Sequence, residues 1–193
     1  MFELLRKKIN QIVKITDEEF EFIASGFTKK SLRKKQFLLQ EGEICKSQAF
    51  VVNGIMRSYT IDEKGNEHIL QFASEGWWMA DLSSYLNESP SQFNMEALEE
   101  VELLLLNKAS WNLLMEKIPI LERFFRILVQ NHLIATQNRL MQSLSEQAEE
   151  KYLNFIDTYP ECVARVPQHM IAAYLGISRE TLSRLRKQLS VRK

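Results

Sequence analysis

The sequence predicts an α+β chain: an N-terminal antiparallel β jelly roll, a long helix in the middle and a C-terminal helix-turn-helix domain. Three observations predict it. Between Phe27 and Leu106, short β-rich runs alternate with turn residues, the layout of a sandwich or jelly roll. Pro119 then opens a helical stretch that runs to about Leu144, since a first helical turn tolerates proline. Finally Gln168 to Leu189, QHMIAAYLGISRETLSRLRKQL, spaces its apolar residues as two short helices crossing at a steep angle require. The expected division is residues 1–118 for the β-roll with its flanking helices, 119–144 for the long helix and 145–193 for the helix-turn-helix domain.

In chain order, Phe2–Ile15 and Asp17–Ala24 read as short helices. Thr16 with Glu19 three residues on makes a capping box for the second. Strands are expected at Phe27–Leu32, Gln36–Leu39, Ala49–Val52, Met56–Ile61, His68–Phe72, Phe93–Leu98 and Val101–Leu106, broken by turns such as Asn53-Gly54 and Lys64-Gly65-Asn66. Asp81 suits the N-cap of a helix over Leu82–Leu86, and Lys108–Lys117 forms another. After the long helix, Ser143 or Ser145 is expected to cap a helix over Glu146–Tyr159 that Pro160 ends. Val163–Val166 reads as a short strand, and the hinge between domains falls near Leu144.

On the long helix Phe124, Ile127, Asn131, Ile134, Asn138 and Met141 recur at alternating steps of three and four. That spacing is a coiled-coil seam, and two asparagines within it favour one register and a dimer. Leu121, Leu128, Leu133, Leu140 and Leu144 supply further apolar surface, expected to lie on the β-domain.

In the helix-turn-helix stretch, Ile171, Leu175, Ile177, Leu182 and Leu185 are the residues expected inside. Ala172 is small enough for close helix approach, Gly176 supplies a positive φ at the first helix's end, and Ser178 caps the second helix. That helix presents Arg179, Glu180, Ser183, Arg184 and Lys187 outward. Arginine binds guanine O6 and N7 bidentately and glutamate accepts from cytosine N4, so the face suits a DNA major groove. Charge agrees. Residues 163–193 hold seven basic side chains and one acidic, a balance of +6, while the remaining 18 basic and 24 acidic side chains give −6. Phosphate is attracted to one end and repelled from the rest.

Other function classes lack support. No apolar run spans a bilayer and MFELLRKKINQIVKI is not laid out as a signal peptide, so a cytoplasmic location is expected. Cys45 and Cys162 lie too far apart to suggest a disulfide framework or metal cluster, and His68, His132 and His169 share no ligand spacing. No nucleophile–base pair or glycine-rich phosphate loop points to an enzyme.

The order of these parts resembles the Crp/Fnr family of bacterial transcription regulators over nearly the full length. The most specific piece is Ser178-Arg179-Glu180-Thr181-Leu182-Ser183-Arg184, similar to the family's recognition helix. AEEKYLNFIDTYPE at 148–161 followed by VPQHMIAAYLGISRETLSR looks like members found in Bacteroidetes. The resemblance implies base contacts by Arg179, Glu180, Ser183 and Arg184, with Ser178, Arg186, Lys187, Arg192 and Lys193 on the DNA backbone. It implies a homodimer on a near-palindromic site, its two recognition helices about 34–36 Å apart. RNA polymerase and a small-molecule effector are the other partners it implies.

The β-roll departs from cyclic-nucleotide-binding members. Met79-Ala80-Asp81 replaces the family's aromatic-glycine-glutamate, and Gln92-Phe93 stands where an arginine and a small residue would be. Without that arginine no fixed cation faces a cyclic phosphate, whose burial then goes uncompensated. Control by cAMP is therefore not expected. Trp77, Trp78, Met79, Asp81, Tyr85, Gln92 and Phe93 remain as an effector-pocket set, with core packing the competing reading for the rings and N-capping for Asp81. No cofactor is expected, since an iron–sulfur cluster needs more cysteines than two. Many members of the family continue beyond this point into a small β-hairpin wing that touches the backbone; here the sequence runs to Lys193, and Arg192 and Lys193 are expected to substitute through phosphate contacts. The rival function is a sensing module for a small ligand or cyclic nucleotide that signals through protein contacts.

Overall fold

A computed structural model describes residues 1–145 and 147–191. The predicted helix start at Glu146 and the predicted phosphate contacts Arg192 and Lys193 lie outside the described residues. Two N-terminal helices, α1 (Phe2–Asn10) and α2 (Asp17–Ser25), precede β1 (Thr28–Leu32), β2 (Phe37–Leu39), β3 (Ser47–Asn53), β4 (Met56–Ile61), β5 (Glu67–Ala73) and β6 (Trp78–Met79). Helix α3 (Leu82–Asn87) leads to β7 (Asn94–Ala97) and β8 (Val101–Asn107). Then come α4 (Lys108–Lys117), α5 (Ile120–Ser145), α6 (Ala148–Thr158), α7 (Pro160–Arg165), α8 (Gln168–Leu175) and α9 (Arg179–Val191). The strands form two four-stranded antiparallel sheets, β1-β8-β3-β6 and β2-β7-β4-β5, the expected roll.

Most predicted elements lie within a residue or two of their places. The Thr16–Glu19 capping box forms, and Asp81 caps α3 by accepting from the Ser84 N–H at 3.0 Å. Three expectations are corrected. Helix α1 stops at Asn10 rather than Ile15, because the chain turns there to bury Val13, and the β-branched Ile12, Val13, Ile15 and Thr16 are poor helix formers. Val163–Val166 is not a strand; Pro160 opens α7 at its first position, and Val166 N–H closes onto Cys162 O at 2.9 Å. The cap of α6 is Gln147, with its N–H on Glu150 Oε2 at 3.2 Å, and not Ser143 or Ser145, which α5 absorbs. Strand β6 was not predicted, since two residues carry no alternation.

Helix α5 is also turned differently from expectation. Leu121, Phe124 and Phe125 are buried against Phe50, Leu104 and Leu114, so Phe124 is core and not part of an interchain seam. Leu133, Leu140 and Leu144 do not lie on the β-domain but are 55%, 60% and 75% exposed. Ile134, Met141 and Val129 join them, which leaves a largely apolar side of α5, interrupted by Gln130 and Gln137, exposed in the chain. At 3.6 residues per turn this side faces away from Leu121 and Leu128, whereas Asn131 and Asn138 flank it.

The roll and the C-terminal helices share one hydrophobic core. Ile55, Tyr59, Ile69, Phe72 and Leu98 of the roll pack with Tyr152, Phe155, Tyr159, Ile171, Leu175, Leu182 and Leu185. Phe72 is central: its ring lies 6.1 Å from those of Phe155 and Tyr159 and 5.5 Å from that of Tyr174. The expected outcome of Phe72→Ala is therefore a loss of about 3–5 kcal/mol in denaturant unfolding. A loss below about 1 kcal/mol would contradict this packing.

Candidate nucleic-acid interface

The helix-turn-helix is built by its own sequence. Ile171, Ala172, Leu175, Leu182 and Leu185 are buried between α8 and α9, and Ile177 packs beside them. Gly176 ends α8 at φ 66°, a left-handed conformation that suits glycine, and Ile177 N–H then bonds Ala172 O at 3.1 Å. Ser178 Oγ accepts from the Thr181 N–H at 3.1 Å, the cap that fixes where α9 begins. Arg179, Glu180, Arg184 and Lys187 are consequently exposed on one side of the helix, with Ser183 and Arg186 half-buried. The Glu180 carboxyl is held below its ordinary value by its own backbone N–H and the Ser178 hydroxyl, so it stands as an acceptor. The first two turns of α9 thus offer two guanidinium donors and one carboxylate acceptor to a partner.

What sets the direction of that helix was only partly visible in sequence. Arg139 of α5 reaches both parts of the protein: its guanidinium donates to Leu70 O, to Ile69 O at 2.8 Å and to Tyr174 O at 2.9 Å, and lies 3.8 Å from the Tyr174 ring centroid. A signal existed. The positions three and four residues away on α5 are Ala135, Thr136, Gln142 and Ser143, so Arg139 has no carboxylate partner on its own helix and must look elsewhere. Arg165, just before α8, pairs with Glu75 at 2.8 Å and with Glu99 on the roll, and these bonds push its guanidinium still higher. Glu75 also accepts from Gly54 N–H at 2.9 Å, where a Cβ on Gly54 would collide with Glu100 O. Trp77 stacks on Tyr159 at 5.2 Å. Burial pushes the Cys162 thiol up to about 12, which makes it an inert core residue.

The effector-pocket set is not one site. Trp77 and Phe93 line a cavity of about 690 Å³ between the roll, α5 and the C-terminal helices, together with Gln71, Asn138, Arg139 and Tyr174. Trp78 packs instead in a ring cluster with Phe27, Phe50 and Phe125. Met79 and Tyr85 are core. Asp81 spends one oxygen on its cap and the other on Ser91 Oγ at 2.7 Å, and Gln92 is exposed outside the cavity lining. Of the two family positions, only Ala80 and Phe93 line that cavity, and Met79, Asp81 and Gln92 do not.

Residues 29–117 match the cyclic nucleotide-binding domain family. Electron transport regulator A of Shewanella oneidensis is 25% identical over 171 residues, which cover 81% of this chain and 66% of that protein. The fumarate and nitrate reduction regulatory protein of Salmonella typhi is 27% identical over 168 residues, 81% of this chain and 66% of its own length. The chain thus spans about two thirds of the length of these relatives. Among solved structures, FixK2 from Bradyrhizobium japonicum superposes with a TM-score of 0.73 at 22% identity, covering 86% of this chain and 85% of that one, which establishes the shared fold.

The Glu75–Arg165 tie has a pH signature. Burial works to raise the Glu75 carboxyl, but Arg165 and the backbone N–H donors outweigh it, and the group lies below its ordinary 4.5. A depressed carboxyl contributes stability that is present above the unfolded value and lost as pH falls through the folded one. Glu75→Gln is expected to lower the Tm at about pH 7, the gap from the unsubstituted protein closing as pH drops below 4.5. A gap unchanged at about pH 3 would contradict the tie.

Proposed function

The chain belongs to the Crp/Fnr family of transcription regulators, and on that premise we propose that it works as a homodimer reading a near-palindromic DNA site without control by cAMP. The observation that carries this reading is the exposed face of the first two turns of α9. Arg179, Glu180 and Arg184 stand there free of the core, beside a capped helix start. Arg179 and Arg184 contact guanines and Glu180 a cytosine, Ser183 lies between them, and Ser178, Arg186 and Lys187 hold phosphates.

Dimerisation rests on α5. Its exposed, largely apolar side, Val129, Leu133, Ile134, Leu140, Met141 and Leu144, suits a second copy of the same helix, with Asn131 and Asn138 at its margin. This moves the seam about a quarter of a turn around the helix from the spacing predicted in sequence, keeping Ile134 and Met141 and leaving Phe124 to the core. Independence from cAMP is supported by Asp81, whose carboxylate is already satisfied within the protein, and by Gln92, which is exposed outside the cavity. A small effector, where the protein uses one, enters the 690 Å³ cavity, because Arg139 and Tyr174 in its wall belong to the elements that orient α9. The protein acts in the cytoplasm, where it meets DNA and RNA polymerase, and performs no catalysis.

Selection of bound duplexes from a random library, at fixed moderate salt with and without cAMP, tests the proposal. A palindrome with guanine-containing half-sites is expected in both conditions. Enrichment only with cAMP would overturn the independence from cAMP. No enrichment in either condition would favour the rival sensing module that signals through protein contacts.

A further inference from the structure

A second cavity, of about 340 Å³, lies between the loop before β3, helix α3 and the start of α4. Ile44, Cys45, Lys46, Tyr85, Lys108 and Ala109 line it, and it shares no lining residue with the 690 Å³ cavity. Its volume is within the range of small-molecule sites, about 300–1,000 Å³.

The Tyr85 hydroxyl sets this cavity apart. Tyr85 is 2% exposed, its ring packs in the core of the roll, and its hydroxyl has no hydrogen-bond partner among the described residues. Gln48 of β3 is a polar neighbour but stands outside hydrogen-bonding geometry. Burial pushes the phenol above its ordinary value, so it stays a protonated donor. A buried donor left unpaired destabilises the fold, and a bound acceptor relieves that cost.

Charge around the cavity selects the acceptor. Among the described residues Lys46 makes no ion pair. Lys108 holds Glu88 at 2.7 Å and donates to Leu86 O at 3.2 Å, which ties the start of α4 to the end of α3. Glu88 is the one carboxylate in the lining against two ammonium groups, a balance of +1. Lys108 and Ala109 are also the first two residues of α4, where backbone N–H groups have no acceptor within the helix. The next N–H, of Ser110, is taken by Asn107 Oδ1 at 2.9 Å. A single negative charge fits these groups. The rest of the wall is apolar: Ile44, the Tyr85 ring, Ala109 and Cys45, whose thiol burial pushes up and keeps uncharged.

We infer that this cavity binds a small organic monocarboxylate, which accepts from the Tyr85 hydroxyl, faces Lys46 and the start of α4, and lays its apolar part along Ile44 and Ala109. The site does not depend on the DNA-binding function proposed above. Trp111 of α4 lies 4.1 Å from Phe125 of α5 between ring centroids, so an occupant stands one helix away from the proposed dimer surface.

Titration of the full chain with sodium hexanoate, followed by amide NMR and calorimetry, tests the site, with 1-hexanol and hexylamine as the uncharged and cationic comparisons. Saturable binding of hexanoate is expected, shifting the Lys46, Lys108 and Ala109 amides, with both comparisons at least roughly tenfold weaker. Tyr85→Phe should weaken hexanoate roughly tenfold and Lys46→Gln roughly threefold. Without hexanoate, Tyr85→Phe should leave the Tm unchanged or raised, since it removes a buried hydroxyl that has no partner. No saturation by about 10 mM would overturn the inference, as would shifts confined to Gln71, Arg139 and Tyr174 of the larger cavity. Equal binding of hexanoate and 1-hexanol would contradict the carboxylate. A ligand-free Tm lowered by Tyr85→Phe, with hexanoate affinity unchanged, would place a buried water on the hydroxyl and remove it from the site.

Discussion

The burial of Phe72 by aromatic rings from the C-terminal domain is the constraint on which the rest of the molecule depends. Phe155, Tyr159 and Tyr174 surround a side chain that belongs to β5, so the sheet and the helix-turn-helix cannot each complete a core alone. Arg139 adds direction to this non-directional packing. Its planar guanidinium meets two carbonyls of β5 and one at the end of α8, and the Tyr174 ring covers it. At a second point Arg165 reaches back to Glu75 and Glu99. The orientation of α9 relative to the roll is thus fixed by a shared core with two polar ties at its edge. A change in the cavity beside Trp77, Arg139 and Tyr174 acts on those same elements.

Helix α5 serves as the spine between these parts. Its first turns are buried by Leu121, Phe124 and Phe125, its last third carries Arg139, and its opposite side is largely apolar from Val129 to Leu144. One helix therefore faces the roll, the C-terminal domain and, in the proposed dimer, a second copy. Leu133, Leu140 and Leu144 exposed in a single chain would be a liability unless another surface covers them.

Local signals in the sequence were readable because their causes are local. The capping box at Thr16, the cap at Asp81, Gly176 at the end of α8 and Ser178 before α9 depend on neighbours within four residues, and each forms as its residue type demands. The rotation of α5 was not readable. Its apolar residues lie on more than one side, and only the position of Phe50 and Leu104 decides which side is buried. The segment after Pro160 misled for a related reason: Val163 and Val166 have strand propensity, yet Cys162 is fully buried and the helix forms around it. Arg139 and Arg165 find their partners up to 70 and 90 residues away, a distance over which sequence spacing carries no information.

The shared core is tested most directly by native-state amide exchange in low denaturant, following β5 amides at Ile69 and Phe72 together with α8 amides at Ile171 and Ala172. The account predicts that both sets exchange through the same opening, with equal free energy and equal denaturant dependence. Exchange of the α8 amides through a separate, lower-energy opening with a small denaturant dependence would contradict it. The helix-turn-helix would then be a tethered domain and not a part of the roll's core.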